Sequence, residues 1–486
     1  MKWFTLEHVL ITSYLGILLT LAVYGFHRSM LVFLYYRNRK RVPKAQGQFV
    51  DLPVVTVQLP LFNEMYVAQR LLDAVANIHY PRNCFEIQVL DDSTDETQEI
   101  CRKKVAELAE TGIDIKYIHR VDRTGFKAGA LANGLKTSRG EFVLVFDADF
   151  VPSADILDQT IHYFTDSKVG MVQVRWDHIN RDYSMLTEMQ AMMLDGHFVI
   201  EHTARHRAGR FFNFNGTAGI WRRSTIDDAG GWSHDTLTED MDLSYRAQLK
   251  GWQFVYLKDV VSPAELPVEM NSFKSQQFRW AKGSIQVARK LLPTIFRARV
   301  PFGVKLEAFF HLTNNFAYPL LLLLSVLLLP NLLVRTHHGW REVVLIDLPL
   351  FFGTTLSIAS FYITSQREIQ RDWRRTLKRL PLMMSLGIGL CINQTRAVVE
   401  AMIGSSSGEF IRTPKHGVVR RFEGWTAKRY RAAKTIIPYV EVLFAVYFAV
   451  AVFVAMQAGH YVSMPFLLLF FMGFAYVGVL SLHQSR

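Results

Sequence analysis

Acidic side chains follow two short apolar stretches of this sequence. Asp91 and Asp92 end one stretch, and Asp147 and Asp149 end another. A lone aspartate in such a position often caps a helix or forms a turn, but two acidic clusters at strand ends of one sheet favour a ligand site. Carboxylate oxygens beside phosphate suit Mg²⁺ or Mn²⁺, so Asp147 and Asp149 are candidate metal ligands.

Two further motifs carry groups suited to phosphate and proton chemistry. Lys127 stands at the start of a predicted helix, where phosphate binds favourably, although a solvated lysine is an equal alternative from these residues alone. Asp240 follows Glu239 ahead of a mostly apolar stretch. A carboxylate there could take a proton from a hydroxyl, and a plain helix start is the competing interpretation.

Gln276, Arg279 and Trp280 would lie on one face of a helix, because their spacing is three and four residues. A tryptophan can stack on a sugar ring, and an arginine can bind a diphosphate. The simpler alternative is an interfacial aromatic residue beside an arginine whose charged end reaches water.

The elements that must position these groups alternate between strand and helix. Predicted strands cover 54–59, 85–90, 113–119 and 141–146, with Pro60 ending the first, and predicted helices cover 66–78, 96–110 and a stretch from 127. This alternation predicts an α/β fold with a mostly parallel, Rossmann-type sheet. Ligands of such sheets bind beyond the carboxyl ends of the strands, where the aspartates stand.

The composition indicates a membrane protein. Half of the 486 residues are hydrophobic although a fifth are charged, so the apolar residues must be clustered. The formal net charge of +12 fits cytoplasmic loops, and nucleic acid is not expected as a partner. The three cysteines, Cys84, Cys101 and Cys391, fit neither a metal spacing nor a disulfide framework.

Long apolar stretches divide the chain into three predicted parts. An N-terminal membrane helix falls in 1–36, a cytoplasmic domain in 37–300 and a membrane region in 301–486. Within the membrane region, the predicted spans lie near 309–334, 343–364, 436–456 and 461–482.

The stretch 380–403 is also long enough to span, but cationic clusters flank it on both sides. One crossing cannot leave both clusters in the cytoplasm, and Asn393, Arg396 and Glu400 are costly in lipid. We therefore predict an interfacial or re-entrant helix at 380–403, five spans in total, and a cytoplasmic loop at 405–434.

Taken in order, the motifs resemble those of family 2 glycosyltransferases of the cellulose synthase superfamily. The resemblance is strongest to the cellulose synthase-like A group, the mannan and glucomannan synthases, and to bacterial relatives. It implies a GT-A-like fold for the cytoplasmic domain. The matching stretches lie between about residues 50 and 290 and are 57–64, 88–95, 125–131, 146–150, 214–219, 238–242 and 276–280.

The resemblance also implies roles for individual residues. Asp240 looks like the general base, with Glu239 beside it, and Asp147 and Asp149 look like the pair that holds Mg²⁺ or Mn²⁺. The implied donor-binding residues are Asp91, Asp92, Lys127, Asp147, Gln276, Arg279 and Trp280. The implied acceptor-binding residues are Phe214, Asn215, Gly216, Thr217 and Trp280. A gating loop of the F-x-V-T-x-K type is implied at Phe410, Arg412, Thr413 and Lys415, with Arg412 replacing the valine.

The implied activity is that of a processive, inverting β-glycosyltransferase, which takes a hexose from GDP-mannose or UDP-glucose and conducts the growing glycan across the membrane. A non-processive enzyme that makes a glycolipid, similar to a ceramide glucosyltransferase, is the alternative. The expected partners are a nucleotide-sugar donor, a glycan or lipid acceptor and the bilayer. The expected location is the inner cell membrane, with the catalytic domain in the cytoplasm.

Overall fold

The computed structural model describes residues 6–338, 344–369, 373–404, 412–430 and 435–485. The chain begins with a long helix, α1 (Leu6–Asn38). The sheet domain follows and consists of β1 (Val55–Leu61), α2 (Ala68–Ala76), β2 (Phe85–Asp91), α3 (Thr97–Glu110), β3 (Ile115–His119), α4 (Phe126–Leu135), β4 (Phe142–Val145), β5 (Val169–His178), α5 (Met185–Asp195), α6 (Thr203–Arg207), β6 (Gly219–Arg222), α7 (Arg223–Asp228), α8 (Glu239–Leu249), β7 (Gln253–Ala264) and α9 (Met270–Arg297). The last part consists of α10 (Phe302–Thr313), α11 (Ala317–His338), α12 (Val344–Ile369), α13 (Arg374–Gly389), α14 (Cys391–Ile403), α15 (Ile437–Gln457) and α16 (Met464–Gln484).

Seven strands form one sheet in the order β3-β2-β1-β4-β6-β5-β7. β1 pairs in parallel with β2 and β4, and β2 pairs in parallel with β3. β6 runs antiparallel to both β4 and β5. The predicted α/β fold with a mostly parallel sheet is thereby confirmed, and the carboxyl ends of β1, β2 and β4 meet at one edge.

Apolar side chains cover both faces of this sheet, and the central strand β4 is apolar throughout. On one face, Leu71 and Val75 of α2 pack in a cluster with Val57 of β1. On the other face, Leu131 of α4 packs in a cluster with Trp221 of β6. The loops at the strand ends are thus attached to a rigid, two-sided core.

One predicted boundary is wrong, because β1 runs through Pro60 to Leu61. Proline lacks the N–H that a ladder hydrogen bond needs. The register of β1 with β4 ends at Gln58, whereas the register with β2 continues to Asp91. Pro60 therefore lies where the strand is paired on one side only, and the missing N–H is tolerated there.

A π-helical turn, Gly196–His202, joins α5 to α6 without a break. Such turns insert an extra residue into a helix and occur mostly at functional sites. The turn places Glu201 next to α1, because Glu201 contacts Arg28. Within the turn, His197 donates to Glu201 at 3.0 Å.

Four helices in the described part of the chain are long and apolar enough to cross a membrane. Their length and composition indicate a membrane protein. They are Leu6–Asn38, Phe302–His338, Ile437–Gln457 and Met464–Gln484. Thr376–Gly389 and Cys391–Ile403 form a bent pair, at 41°, that is either a broken span or a re-entrant loop. The predicted helix at 380–403 falls on this pair, and its interfacial placement stays a prediction. The predicted span at 343–364 falls on α12, which is not among the four helices that are long and apolar enough to cross. The predicted division of the chain into 1–36, 37–300 and 301–486 also stays a prediction.

Residues 412–430, here called the strap, lie against the sheet domain. Arg412 is 3.0 Å from Glu64, and its guanidinium lies 3.8 Å from the centre of the Tyr430 ring. Tyr430 in turn hydrogen-bonds to Asp95. The strap therefore packs on the sheet domain. Phe410 of the predicted gating loop lies outside the described residues.

Candidate active site

A cavity opens at the carboxyl ends of β1, β2 and β4, and we call it the strand-end cavity. Each of the sequence motifs contributes residues to its lining. These residues come from the loops at the strand ends, from α8 and α9, and from the strap. The predicted site residues that line it are Asp92, Lys127, Asp147, Asp149, Asn215, Gly216, Glu239, Asp240, Gln276, Arg279, Trp280, Arg412, Thr413 and Lys415.

Asp147 leaves the end of β4 and meets Lys127 from the start of α4. The Lys127 ammonium is 2.5 Å from Asp147 Oδ1 and donates to the Gly216 carbonyl at 2.8 Å. Burial raises the pKa of the Asp147 carboxyl, while the lysine charge opposes that rise. A cation fixed between a carboxylate and a carbonyl at a helix start is well placed to neutralise phosphate oxygens.

Asp149 is held by the strap rather than by the sheet domain alone. Lys415 Nζ lies 2.6 Å from Asp149 Oδ2 and donates to the Glu265 carbonyl at 2.5 Å. The Glu265 carboxylate accepts from the His416 backbone at 3.0 Å and from Arg70 at 3.1 Å. The strap thus contributes a second ammonium group to the strand-end cavity.

Glu239 and Asp240 form the first turn of α8, where the helix dipole favours acidic side chains. The Met241 N–H donates to Asp240 Oδ1 at 2.8 Å. Burial and the neighbouring charge of Glu239 raise the pKa of Asp240 well above its ordinary value, and burial also raises the pKa of Glu239. A carboxylate whose pKa lies nearer to neutrality is a better general base at physiological pH.

The long helix α9 brings three predicted residues to the same wall. Arg279 donates to the Thr413 hydroxyl at 2.7 Å, which joins α9 to the strap. Burial lowers the pKa of Arg279 to about 10, so the guanidinium remains charged at neutral pH. Gln276 and Trp280 line the cavity beside it, as their spacing on one helix face predicts.

Strained backbone surrounds the strand-end cavity. In the described residues, the non-glycine residues with positive φ are Asn63, Phe126 and Ala218. Gly216 has a φ of 79°, and a Cβ there would lie 3.1 Å from Asp240 Oδ2. Unfavourable backbone of this kind is typical of sites whose groups are held for chemistry, and any side chain at position 216 would be strained.

The strand-end cavity continues towards the membrane helices. A second cavity of about 270 Å³, the inner cavity, shares Asp240, Trp280 and Asn215 with it. A third cavity of about 330 Å³, the membrane cavity, shares Arg28 and Glu201 with the inner cavity and lies among α1, α11, α12, α13 and α16. Asp240 therefore stands where a path from the strand ends to the membrane helices begins.

Several predicted site residues do not line any of these cavities. Asp91 is buried and accepts hydrogen bonds from Tyr117 at 2.6 Å and from the Ser93 N–H at 3.0 Å. Phe214 belongs to the apolar core. Thr217 lies behind the site, where its hydroxyl accepts from the Asp147 N–H at 2.8 Å. These three residues line none of the three cavities, and their roles in donor or acceptor binding stay predictions.

Other residues line the strand-end cavity without having been predicted, among them Glu64, Arg123, Trp176 and His178. Arg123 lies 3.4 Å from the centre of the Phe62 ring. Burial raises the pKa of Glu64 to about 8, although Arg412 opposes the rise. Glu64 could have been suspected because it follows the first predicted strand, whereas no local signal marks the other three.

The two candidate metal ligands form an incomplete donor set by themselves. Among the described residues, no group of three or more His, Cys, Asp or Glu side chains could hold a metal ion. Mg²⁺ and Mn²⁺ keep several waters and commonly take further ligands from substrate phosphates, so one or two carboxylates suffice for them. Asp147 and Asp149 at one cavity wall fit a metal that arrives with a diphosphate.

Residues 53–283 match the family described as glycosyltransferase-like family 2. Glucomannan 4-β-mannosyltransferase 1 of Cyamopsis tetragonoloba is 32% identical over 447 residues, which cover 88% of this chain and 82% of that protein. Glucomannan 4-β-mannosyltransferase 1 of Oryza sativa subsp. japonica is 45% identical over 250 residues. That match covers 50% of this chain and 48% of the rice protein, so it spans about half the length of that relative.

A solved structure of a mannosyltransferase, PcManGT from Pyrobaculum calidifontis, in complex with GDP-Man and Mn²⁺, has a TM-score of 0.52 to this chain. It is 20% identical and covers 80% of this chain and 99% of its own. At this identity the likeness concerns the fold, which is the GT-A fold that the motifs predicted.

Fold, motifs and relatives together define a glycosyltransferase that uses a nucleotide sugar. Asp147, Asp149 and Asp240 all line one cavity of this enzyme. The chain belongs to glycosyltransferase family 2, within the cellulose synthase-like A group. The resemblance predicted from the motifs is thereby confirmed.

Proposed function

We propose that this enzyme is a processive, inverting β-glycosyltransferase, which adds hexose from a nucleotide sugar to the end of a β-linked glycan and passes the product along its membrane helices. The observation that carries the proposal is the position of Asp240. This carboxylate lines both the strand-end cavity and the inner cavity, so a donor on one side and an acceptor on the other would meet at it.

The reaction is a single displacement. The acceptor hydroxyl gives its proton to Asp240, and its oxygen attacks the anomeric carbon from the face opposite the diphosphate. The bond from that carbon to the diphosphate breaks, which inverts the anomeric configuration. Lys127 and Arg279 stabilise the negative charge that develops on the leaving nucleoside diphosphate. Glu239 lies beside Asp240 and helps to keep the pKa of the base high.

Asp147 and Asp149 are the residues that would hold Mg²⁺ or Mn²⁺. When bound, the metal supplies a positive charge that neutralises the diphosphate. Lys415 and Lys127 pair with these carboxylates in the structure, so both ammonium groups lie beside the place where the diphosphate binds. We expect Thr413 and Arg412 of the strap, with Phe410, to close over the donor as a gating loop.

We propose GDP-mannose as the donor. The support is the activity for which the plant relatives are named, 4-β-mannosyl transfer, and the GDP-Man in the structure of similar fold. UDP-glucose remains the second donor to be tested. That the enzyme lies in the inner cell membrane, with its catalytic domain in the cytoplasm, is likewise a prediction.

A glycolipid product is the second candidate, and the membrane cavity favours it. That cavity is lined mainly by leucine, methionine, phenylalanine and tyrosine, and an acyl chain would fit such walls. Sugar rings also stack on aromatic side chains, so the same walls suit a glycan. The chemical nature of the product separates the two candidates.

The test is a donor screen with the purified enzyme in lipid nanodiscs. Radiolabelled GDP-mannose and UDP-glucose are supplied separately with Mg²⁺ or Mn²⁺, and the products are sized and digested with β-mannanase. We expect label from GDP-mannose in a long, water-soluble, mannanase-sensitive polymer. Label that is extracted into organic solvent as a single-sugar lipid would overturn the polymer proposal in favour of the second candidate.

A further inference from the structure

A further cavity, of about 660 Å³, opens between the sheet domain, the strap and the end of α12. We call it the arginine cleft, and the proposed reaction uses none of its residues. Two of its arginines belong to β5 and the loop after it, and the other two belong to the strap. Its charged lining residues are Arg175, Arg181, Arg420, Arg421, Asp177 and Asp182.

Most of the positive charge in the arginine cleft has no acidic partner. Of the four arginines, only Arg181 forms an ion pair within the described residues, with Asp195 at 2.6 Å. The two aspartates of the lining cannot neutralise four guanidinium groups, so the cleft keeps an excess of positive charge. Like charges that converge in this way repel one another. An anion bound between them would therefore stabilise the cleft.

Two of these arginines are oriented by one hydrogen bond each. Arg175 donates from Nε to the Lys258 carbonyl at 2.9 Å. Arg421 donates from Nε to the Asp182 carbonyl at 2.6 Å, which attaches the strap to the loop after β5. The two Nη groups of both side chains make no hydrogen bond among the described residues. A guanidinium presents such Nη groups to phosphate oxygens as a fork, so the cleft is suited to a phosphate.

The arginine cleft lies at the level where membrane helices end. Ile369, the last residue of α12, lines the cleft and packs in one apolar cluster with Tyr35, near the end of α1. Just beyond α12, the guanidinium groups of Arg367 and Arg374 lie 5.2 and 5.6 Å from the centre of the Trp373 ring. Tryptophan and arginine at helix ends are typical of the headgroup region of a bilayer. Lipid phosphates are therefore the nearest source of an anion for the cleft.

We propose that the arginine cleft binds the phosphate of an anionic phospholipid, and that the bound lipid holds the strap on the sheet domain. The phosphate accepts hydrogen bonds from Arg175 on β5 and from Arg420 and Arg421 on the strap, and so joins the two. The same strap carries Lys415 to the strand-end cavity. Anionic lipid consequently favours the arrangement of the strap in which the donor is bound. The inference goes beyond the proposed function, because it assigns a lipid ligand outside the strand-end cavity.

The test compares the full-length enzyme in nanodiscs of phosphatidylcholine alone and of phosphatidylcholine with an equal amount of phosphatidylglycerol. Without any donor, hydrogen–deuterium exchange across 412–430 should be slower in the anionic nanodiscs. Arg175→Gln combined with Arg420→Gln should abolish that difference. In phosphatidylcholine alone, this double variant should exchange at the wild-type rate, because neither side chain pairs across the strap in the structure. That equality also shows that the variant is folded.

The donor affinity gives a second measurement. Phosphatidylglycerol should lower the KM of the wild-type enzyme for GDP-mannose about threefold to tenfold, as expected for one or two cationic side chains held at an anionic surface. The KM of the double variant should be the same in both kinds of nanodisc.

Arg299→Gln is the matched control. Arg299 is an exposed arginine between α9 and α10, just before the helical stretch Phe302–His338 that is long and apolar enough to cross a membrane. It therefore tests a cation close to the membrane that does not line the arginine cleft. This variant should respond to phosphatidylglycerol as the wild-type enzyme does, both in exchange across 412–430 and in KM.

Three results would overturn the lipid site. The double variant could keep the full response to phosphatidylglycerol, or Arg299→Gln could lose the response to the same extent. Inorganic phosphate, added to phosphatidylcholine nanodiscs, could slow the exchange of the wild-type enzyme as much as phosphatidylglycerol does, which would assign the cleft to a soluble anion. Each of these results leaves the transferase proposal intact. The exchange measurement contains no donor, so an incorrect donor or product would not alter its outcome.

Discussion

Asp240 is the residue on which the proposed chemistry depends most. It is the carboxylate that the strand-end cavity and the inner cavity share, and its Oδ1 is oriented by the Met241 N–H at 2.8 Å. A general base acts in the transition state and contributes little to the binding of the donor in the ground state. Loss of the Asp240 carboxylate should therefore slow sugar transfer while the affinity for the donor is retained.

Asp240→Asn should lower kcat about 10²-fold to 10⁴-fold, the contribution of a missing general base, while donor affinity is retained. Radiolabel transfer gives the rate, and titration calorimetry gives the affinity for the donor. Asp235→Asn is the control, because Asp235 is an exposed aspartate just before α8. It pairs with Lys290 at 2.8 Å. Substantial turnover by Asp240→Asn would remove Asp240 from the role of base.

The pH dependence of kcat/KM should report the raised pKa of Asp240. The base must be deprotonated to act, so kcat/KM should fall as the pH drops through that raised pKa. The acid limb should therefore lie well above the ordinary aspartate value of about 3.9. A profile of kcat/KM against pH checks this, and a rate that stays constant down to the ordinary aspartate range would contradict it.

The sequence predicted most of the residues around Asp240 but not all of the site. Lys127, Asp147 and Arg279 could be predicted, because motif order and strand ends place them at one edge of the sheet. Asp91 was assigned to the donor, yet its carboxylate is used by Tyr117 inside the domain. Trp176 and His178 carry no local signal, since only tertiary packing brings them to the strand-end cavity.

The strap contributes Arg412, Thr413 and Lys415 to the wall of the strand-end cavity. Among its ion pairs, two reach the strand-end cavity, from Arg412 to Glu64 at 3.0 Å and from Lys415 to Asp149 at 2.6 Å. Both carboxylates line the strand-end cavity. The position of the strap should therefore depend on these pairs and on what occupies the cavity.

Replacing both cations, in Arg412→Ala with Lys415→Ala, should release the strap. We expect faster hydrogen–deuterium exchange across 412–430, because part-buried ion pairs are lost. We also expect the KM for the donor to rise about tenfold, because the proposed diphosphate site loses the positive charge of Lys415. Arg420→Ala is the control, since that exposed side chain makes no ion pair in the described residues. Unchanged exchange in the double variant would show that other contacts hold the strap.

Elements differed in how far the sequence predicted them. β2 ends at Asp91 and β4 ends two residues before Asp147, and their predicted bounds are close to those observed. β6 has only four residues, and its antiparallel pairing with β4 depends on where the chain returns after Gly216. The π-helical turn is invisible in the sequence, because its apolar spacing resembles that of the α-helices on either side.

At the scale of the whole molecule, the strap and the sheet domain must share one side of the membrane. Arg412 contacts Glu64, and the Lys428 ammonium lies 4.9 Å from the centre of the Tyr66 ring. Single cysteines at 374, 412 and 428, in a chain without its three native cysteines, should all be protected from an impermeant thiol reagent in intact cells. Labelling at 412 with protection at 374 would contradict the re-entrant assignment of 380–403.

The membrane helices are the part of the molecule that the sequence predicted least completely. Apolar length identified the four helices that pass the test for crossing, and the flanking cations singled out 380–403 as unusual. The bend of 41° between Thr376–Gly389 and Cys391–Ile403 was not predicted. Gly389 and Gly473 pack there at backbone distance, a close contact between helices distant in sequence that no local pattern reveals.

Transport of the product in proteoliposomes tests the central claim most directly. The enzyme is reconstituted with its sheet domain outward, and labelled GDP-mannose is added outside. If the path from the strand-end cavity through the membrane cavity conducts the glycan, the labelled polymer should resist β-mannanase until the vesicles are permeabilised. Polymer that is digested without permeabilisation, or label recovered only as a short glycolipid, would contradict a processive synthase that passes its product across the membrane.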